Sequence, residues 1–256
     1  MRRRIAVIFV AMACIASAAA AQTMLRNLDL SSPKYTQAEL TRDDVAARIA
    51  AKKLDFSNMS LNGLDLTGLD LAGANFRAAR LNKAKLRGAN LKGAVLDQVW
   101  ALGADFSQAD LSGASLFAAQ LQDANFDGAD FSNARIAADF SRAHLRRARF
   151  DGANLAADMK NQSMGLMRAV FESADLDGAR FVKADLSRAD LQFAKLRGAQ
   201  FTDADLTNAE AAGADFRGAR IEHSNFTGCD LRSASIDSDQ LGAFAGALNL
   251  DQAQKE

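Results

Sequence analysis

The sequence predicts an all-β solenoid, a chain that turns a corner once in every five residues and returns each central apolar side chain to one interior. Three observations carry the prediction. A large apolar residue recurs at every fifth position, as at Leu71, Phe76, Leu81, Leu86 and Leu91. Alanine stands two places before most of these centres, as at Ala74, Ala84, Ala109, Ala129, Ala174, Ala184, Ala204 and Ala219. Between alanine and centre the residue is often Asp or Asn, as at Asp105, Asp110, Asp130, Asp185 and Asn225. On an α-helix a step of five drifts by about 140° and smears the apolar residues around the cylinder. On a flat strand an odd step throws alternate centres onto opposite faces. A bend in every five residues satisfies the pattern where neither regular element does.

The elements follow in chain order. Arg2, Arg3 and Arg4, the apolar run from Ile5 to Ala13 continuing through Ile15, and Ala19, Ala20 and Ala21 before Gln22 have the three parts of a secretory signal peptide. Residues 1–21 are therefore expected to be removed after Ala21, placing the protein in the periplasm or outside the cell. A retained membrane anchor is the rival reading, but the run is short against the roughly 20 residues of a span. A lipoprotein anchor at Cys14 lacks the usual leucine three places before it. Residues 22–55 are expected to close the N-terminal end. Thr41-Arg42-Asp43-Asp44 reads as a helix N-cap with an acidic residue three places on, and Val45, Ile49 and Lys53 follow on a short alanine-rich helix. A solenoid end exposes its apolar axis and unpaired backbone groups, so it needs such a lid.

The repeats occupy 56–241. Centres step in fives from Phe56 to Ile136, with only Ala101 small, and from Phe171 to Leu241. This pattern resembles the pentapeptide-repeat family, whose motif is A-[DN]-[LF]-x-x and which Ala109-Asp110-Leu111-Ser112-Gly113 matches. The resemblance covers Phe56 to about Leu241. It implies a right-handed quadrilateral parallel β-helix with four pentapeptides to a coil, roughly nine coils and on the order of 43 Å at about 4.8 Å per coil. One large and one small side chain per wall would then fill a narrow axis without overpacking. Met59, Leu64 and Leu69 take the alanine position early on, so the first coils are expected to be wider or more heavily filled.

The frame breaks within 137–170. The step from Ile136 to Phe140 is four, and Phe140, Leu145, Phe150 and Leu155 run one residue out of frame. A tightened corner near Ala137 and Ala138 and a loop protruding between Ala156 and Gly165 are expected. Met159, Met164 and Met167 in that loop could hold Cu(I), but gap-filling methionines are the stronger reading. Residues 242–256 form the C-terminal tail; Leu241, Phe244 and Leu248 suggest a cap helix, whose apolar side could also join two copies into a homodimer.

No chemistry-bearing constellation emerges. His144 and His223 have no Ser or Cys partner at triad spacing and read as surface residues. Cys229 sits at an alanine position and reads as a buried small hydrophobe. No catalytic, cofactor-binding or metal-ligating residue is assigned. Stacking at 20 residues per coil places Asp190, Glu210 and Asp230 in one outward column and Asp185, Asp205 and Asn225 in another, with Arg180 and Arg220 on a further wall. Screening by solvent is the expected fate of such ladders, ahead of a bound cation or of neutralisation by Arg188, Lys195 or Arg197. Arg142, His144, Arg146, Arg147 and Arg149 make a basic patch near the frame slip, read as a solvated face ahead of a polyanion site. Trp100, Phe117 and Phe193 are outward aromatics; a local rearrangement that tucks in the Trp100 indole is expected beside the weak centre Ala101.

The chain carries 31 basic and 31 acidic residues, which argues against a nucleic-acid partner. Function is therefore read as a non-catalytic exported solenoid, a structural or protein-interaction scaffold for an unknown protein partner. Some family members mimic DNA and bind gyrase, giving quinolone resistance; that alternative needs the cytoplasm and a strongly acidic rod. A polysaccharide-acting β-helix enzyme is a third reading, carried by fold analogy alone.

Overall fold

A computed structural model describes residues 36–159 and 167–256, and Gln37–Glu256 forms one compact unit. The expected signal peptide, most of the segment before the helix, and Met164 lie outside the described residues. Each coil is built from four short walls joined by tight corners, and residues 20 apart pair as parallel bridges. On the first wall the rungs are Asp55, Asn75, Val95, Ser115, Arg135, Asn154, Asp185, Asp205 and Asn225. The second wall starts at Ser60, the third at Asp65 and the fourth at Asp70. Phe56, Leu61, Leu66 and Leu71 point inward just after these rungs and are fully buried, as are Ala74, Ala79 and Ala84 at the small positions.

The backbone of one pentapeptide shows why five residues suffice for a wall and its corner. Around Phe76, the Ala74 N–H donates to the Leu71 carbonyl and closes the preceding corner at 3.0 Å. The Asn75 N–H donates down to Leu54, and the Phe76 and Ala78 N–H groups donate up to Val95 and Asp97. Only the Arg77 N–H finds no backbone acceptor, and the Asn75 side chain supplies one at 3.1 Å. The last corner residue has positive φ, at 68° in Gly63 and 56° in Lys83, which is the third position of a type II turn.

Stacking of like side chains on like lets aromatic centres pile up along the axis. Phe131, Phe150, Phe181 and Phe201 on the fourth wall lie nearly parallel with successive centroids 4.8, 4.9 and 5.0 Å apart. That spacing is the strand separation itself, so the backbone ladder fixes the ring stack.

At the N-terminal end α1 (Arg42–Ala50) carries the expected capping box between Thr41 and Asp44. Val45 is buried, and Ile49 packs on the core with Met59, Leu64 and Leu69. The large residues at early alanine positions thus fill the wide space under the helix. The first coil has no coil below it, and its outward-facing carbonyls take other donors: Arg48 reaches the Asp55 carbonyl, the Glu39 N–H the Ser60 carbonyl, and the Arg42 guanidinium those of Asp65 and Thr67.

In the middle, β1 (Ser115–Gln120) pairs in parallel with β2 (Arg135–Asp139), and the register shifts between Phe117 and Gln120. The missing residue is taken up there, at the tightened corner. Asn154 pairs onward with Asp185 and Asp139 with Val170, so Leu155 is followed on the next wall by Phe171. Residues 160–166 between them lie outside the described residues, and the solenoid resumes without losing a wall.

The C-terminal segment differs from the expected α-helix. It forms two 3₁₀ turns, Ser238–Phe244 and Leu250–Gln252, around Gly246 at φ 82°. β3 (Ser235–Ile236) pairs with β4 (Gln254–Lys255), and Leu248 bridges Asp230. These short returns to the last coil, together with Gly242 and Gly246, leave no length for a helix. Phe244 is fully buried, 4.7 Å from the Phe226 ring.

Candidate interaction surface

The outward carboxylates and amides do structural work before any partner is considered. Asp105, Asp110, Asp130, Asp185 and Asp205 each accept the N–H two residues on, at 2.8 to 3.0 Å. At several wall positions that are not Asp or Asn, the coil below supplies the acceptor instead. Asp97 serves the Phe117 N–H above Ser115, Asp127 serves Arg146 beyond His144, and Asp177 serves Arg197 beyond Lys195. Asn62 and Asn82 do the same for Asn82 and Leu102, past Arg80 and Trp100. An orphaned N–H at a half-buried corner is costly, which explains both the motif and its substitutes. The sequence pattern shows Asp and Asn facing outward but not this task, because the bond is local to a corner whose geometry the pattern does not contain.

One of the two acidic columns is paired rather than left to solvent. Arg168 emerges from the insertion and spans two coils, with 2.8 Å to Asp190 and 2.7 Å to Glu210, while Arg232 holds Asp230 at 2.8 Å. For this column that corrects the expectation of screening, and Arg168 is not one of the cations expected to neutralise it; Asp185 and Asp205 make no ion pair among the described residues. Burial raises Asp190 above the ordinary carboxylate range despite Arg168, and burial with Asp190 and Asp139 nearby raises Glu172. Three arginines of the basic patch are paired by the coils around it: Arg142 with Asp123 at 2.8 Å, Arg146 with Asp175 at 2.7 Å, and Arg149 with Asp151 at 3.4 Å. Arg180 also meets Asp151, at 3.0 Å. On the third wall Arg217 and Arg197 clasp Asp215, whose pKa the Arg217 bond leads in lowering to about 2.

The remaining candidates fall where their positions place them. His144 and His223 are exposed, with His223 3.5 Å from Asp203. Cys229 is buried, and burial followed by the nearby Asp230 pushes its thiol up to about 12. Met159 is exposed, and among the described residues no group of His, Cys, Asp or Glu is placed to hold a metal ion. Trp100 keeps its regular rung between Arg80 and Gln120 and stays half-exposed, with Ala101 buried beside it. The two backbone bridges hold that rung in register, so the coil itself does not rearrange there. Phe193 is 59% exposed and lies flat over Gly213 in the coil above. No helix among the described residues is long and apolar enough to cross a membrane.

The chain matches the family of pentapeptide repeats in eight copies, over residues 60–98, 103–133, 136–157, 166–203 and 199–236. Among solved structures it is similar to full-length QnrB1, a plasmid-mediated fluoroquinolone resistance protein, at 18% identity over 77% of this chain and 91% of that one, with a TM-score of 0.60. A trypsin-treated variant of QnrB1 gives 20% identity over 77% and 91%, with a TM-score of 0.55. HetL, a pentapeptide repeat protein involved in heterocyst differentiation regulation in the cyanobacterium Nostoc, shares 24% identity over 75% and 98%, with a TM-score of 0.29. At these identities the likeness to QnrB1 is one of fold. No curated protein matches the chain.

Proposed function

Because the chain belongs to the pentapeptide-repeat family and shares the right-handed quadrilateral β-helix of QnrB1, we propose that it is a non-catalytic exported scaffold that presents its walls to a protein partner. The observation that carries this reading is the employment of the outward carboxylates. Asp97, Asp175, Asp215 and Asp230 are held ionised below their ordinary range by corner N–H groups and arginines, Asp215 at about 2. Carboxylates held this way are poor proton donors near neutrality and serve as fixed surface charge. In this reading α1 and the 3₁₀ turns cap the two ends, and the solenoid is a stiff spacer of about nine coils whose length follows from the roughly 4.8 Å rung spacing. Leu248, 54% exposed on the C-terminal segment, offers a contact for a homodimer.

The test is a tagged full-length copy, followed by cell fractionation and crosslinking in the compartment where it is found. Recovery outside the cytoplasm with a defined protein crosslinked to the walls supports the proposal. Retention in the cytoplasm, or no specific crosslink, counts against it. The likeness to QnrB1 keeps gyrase binding as the second reading. DNA mimicry wants uniformly acidic walls, whereas 31 cations here balance 31 anions. Supercoiling by gyrase that is insensitive to excess protein would remove it.

A further inference from the structure

Charge is sorted along the solenoid in bands. From Leu71 to Leu96 stand Arg77, Arg80, Lys83, Lys85, Arg87 and Lys92 with no carboxylate, and from Asp97 to Ala134 stand Asp97, Asp105, Asp110, Asp123, Asp127 and Asp130 with no cation. The first band fills one coil and the second the next two coils. Pairing inside the chain consumes only part of each. Arg77 meets Asp97, Arg80 meets Glu39, Asp123 meets Arg142, and Asp130 lies 3.8 Å from Arg149. Lys83, Lys85, Arg87 and Lys92 are exposed and make no ion pair among the described residues, nor do Asp105, Asp110 and Asp127.

The unspent charges centre on the third wall, with Lys83 at the corner that enters it from the second. Lys85, Arg87, Asp105 and Asp127 belong to the third wall, and Lys92 and Asp110 to the fourth. Beside Gln108 on the third wall and Asn133 on the fourth, corners are glycine at Gly68 and Gly88 and at Gly73, Gly93 and Gly113. A Cβ built at any of these would meet nothing within 4 Å. Glycine corners therefore leave the third wall of the basic coil open to another wall lying against it.

We propose that this N-terminal face pairs two copies of the chain side by side and antiparallel, the basic coil of each lying over the acidic coils of the other. A two-fold axis between the bands makes one patch complementary to itself, which is the condition for a closed isologous dimer. Antiparallel alignment is required, since parallel copies would set like bands against each other. Only the coils near the axis overlap, so the contact is small and held by charge, and its strength depends on salt.

Sedimentation equilibrium or light scattering on the intact protein reads the association at about 50 mM and about 500 mM salt. The expected result is a dimer at the lower salt, with its dissociation constant at least ~10-fold weaker at the higher. Combined Lys83→Gln, Lys85→Gln, Arg87→Gln and Lys92→Gln should leave a monomer at both salts. So should combined Asp105→Asn, Asp110→Asn and Asp127→Asn, in which asparagine keeps the corner bonds; unchanged circular dichroism and melting show that both variants fold. Leu248→Asp at the C-terminal segment should leave this dimer intact. A protein that is monomeric at the lower salt, a dimer indifferent to salt, or one lost with Leu248→Asp and kept in the charge variants would overturn the proposal.

Discussion

Asp97 offers the sharpest test of how the corners are held. Its carboxylate is 13% exposed and accepts the Ser115 hydroxyl at 2.6 Å, the Phe117 N–H at 3.0 Å and the Arg77 guanidinium at 3.1 Å. Asp97→Ala removes all three and strands the Phe117 N–H at a half-buried corner. At roughly 1 kcal/mol for each bond, somewhat more where the acceptor is charged, and with part returned by relieving a buried carboxylate, the net loss is about 2–3 kcal/mol. For a chain of this size that is on the order of 5–10 °C in Tm. Ser115→Asp then separates this account from a general loss of packing. In the wild-type background the new carboxylate crowds Asp97 and destabilises by about 1 kcal/mol. In the Asp97→Ala background it can accept the Phe117 N–H as Asp110 accepts that of Ser112 at 2.9 Å, restoring about 1 kcal/mol. The effect of one substitution reverses sign, and thermal unfolding of the four proteins followed by circular dichroism reads it. A Ser115→Asp change that destabilises both backgrounds equally would refute the exchange of acceptors between wall and neighbouring coil.

Three further outcomes are expected. Asp215 has its folded pKa depressed from 3.8 to about 2, so its contribution is complete above the unfolded value and is lost as pH falls from about 4 through about 2. Urea midpoints across that window should fall more steeply in the wild type than in Asp215→Asn. Gly63→Ala places a side chain at φ 68° in open space and should cost about 1 kcal/mol. Gly213→Ala should cost more, because its Cβ would lie 2.6 Å from the Phe193 ring, and a double-mutant cycle should return part of that cost in the Phe193→Ala background. Phe150→Ala empties the middle of a stack whose rings lie 4.8 and 4.9 Å away and should lower stability by about 3–5 kcal/mol in denaturant titration, with Phe150→Leu losing less.

The five-residue period determines the fold class because no other backbone returns Leu71, Phe76, Leu81 and Leu86 to one interior. The capping box at Thr41 was equally legible, since its three-residue spacing is a local rule. Local rules also located the tightened corner, because a missing residue in a strict period can be counted. They failed at the C-terminus: Leu241, Phe244 and Leu248 suit a helix in sequence, while Gly246 and pairing with the last coil draw the chain into 3₁₀ turns. At Trp100 the small centre Ala101 suggested a rearranged coil, whereas bridges to the rungs on either side keep the regular register.

What the sequence determined by itself, then, is the register: which residue of each five faces inward, which outward, and which turns. Periodicity suffices for that, because it is set by neighbours along the chain. What only the tertiary structure decided is how the outward residues are used. Asp110 serves its own corner, Asp97 serves the corner of the coil above, and Arg168 crosses two coils to reach Asp190 and Glu210. The bonds of Asp97 and Arg168 join residues 20 or more apart, and an insertion in one coil changes which side chains meet. Hydrogen bonds and ion pairs depend on distances of about 3 Å, which a sequence pattern does not contain until the coils are stacked.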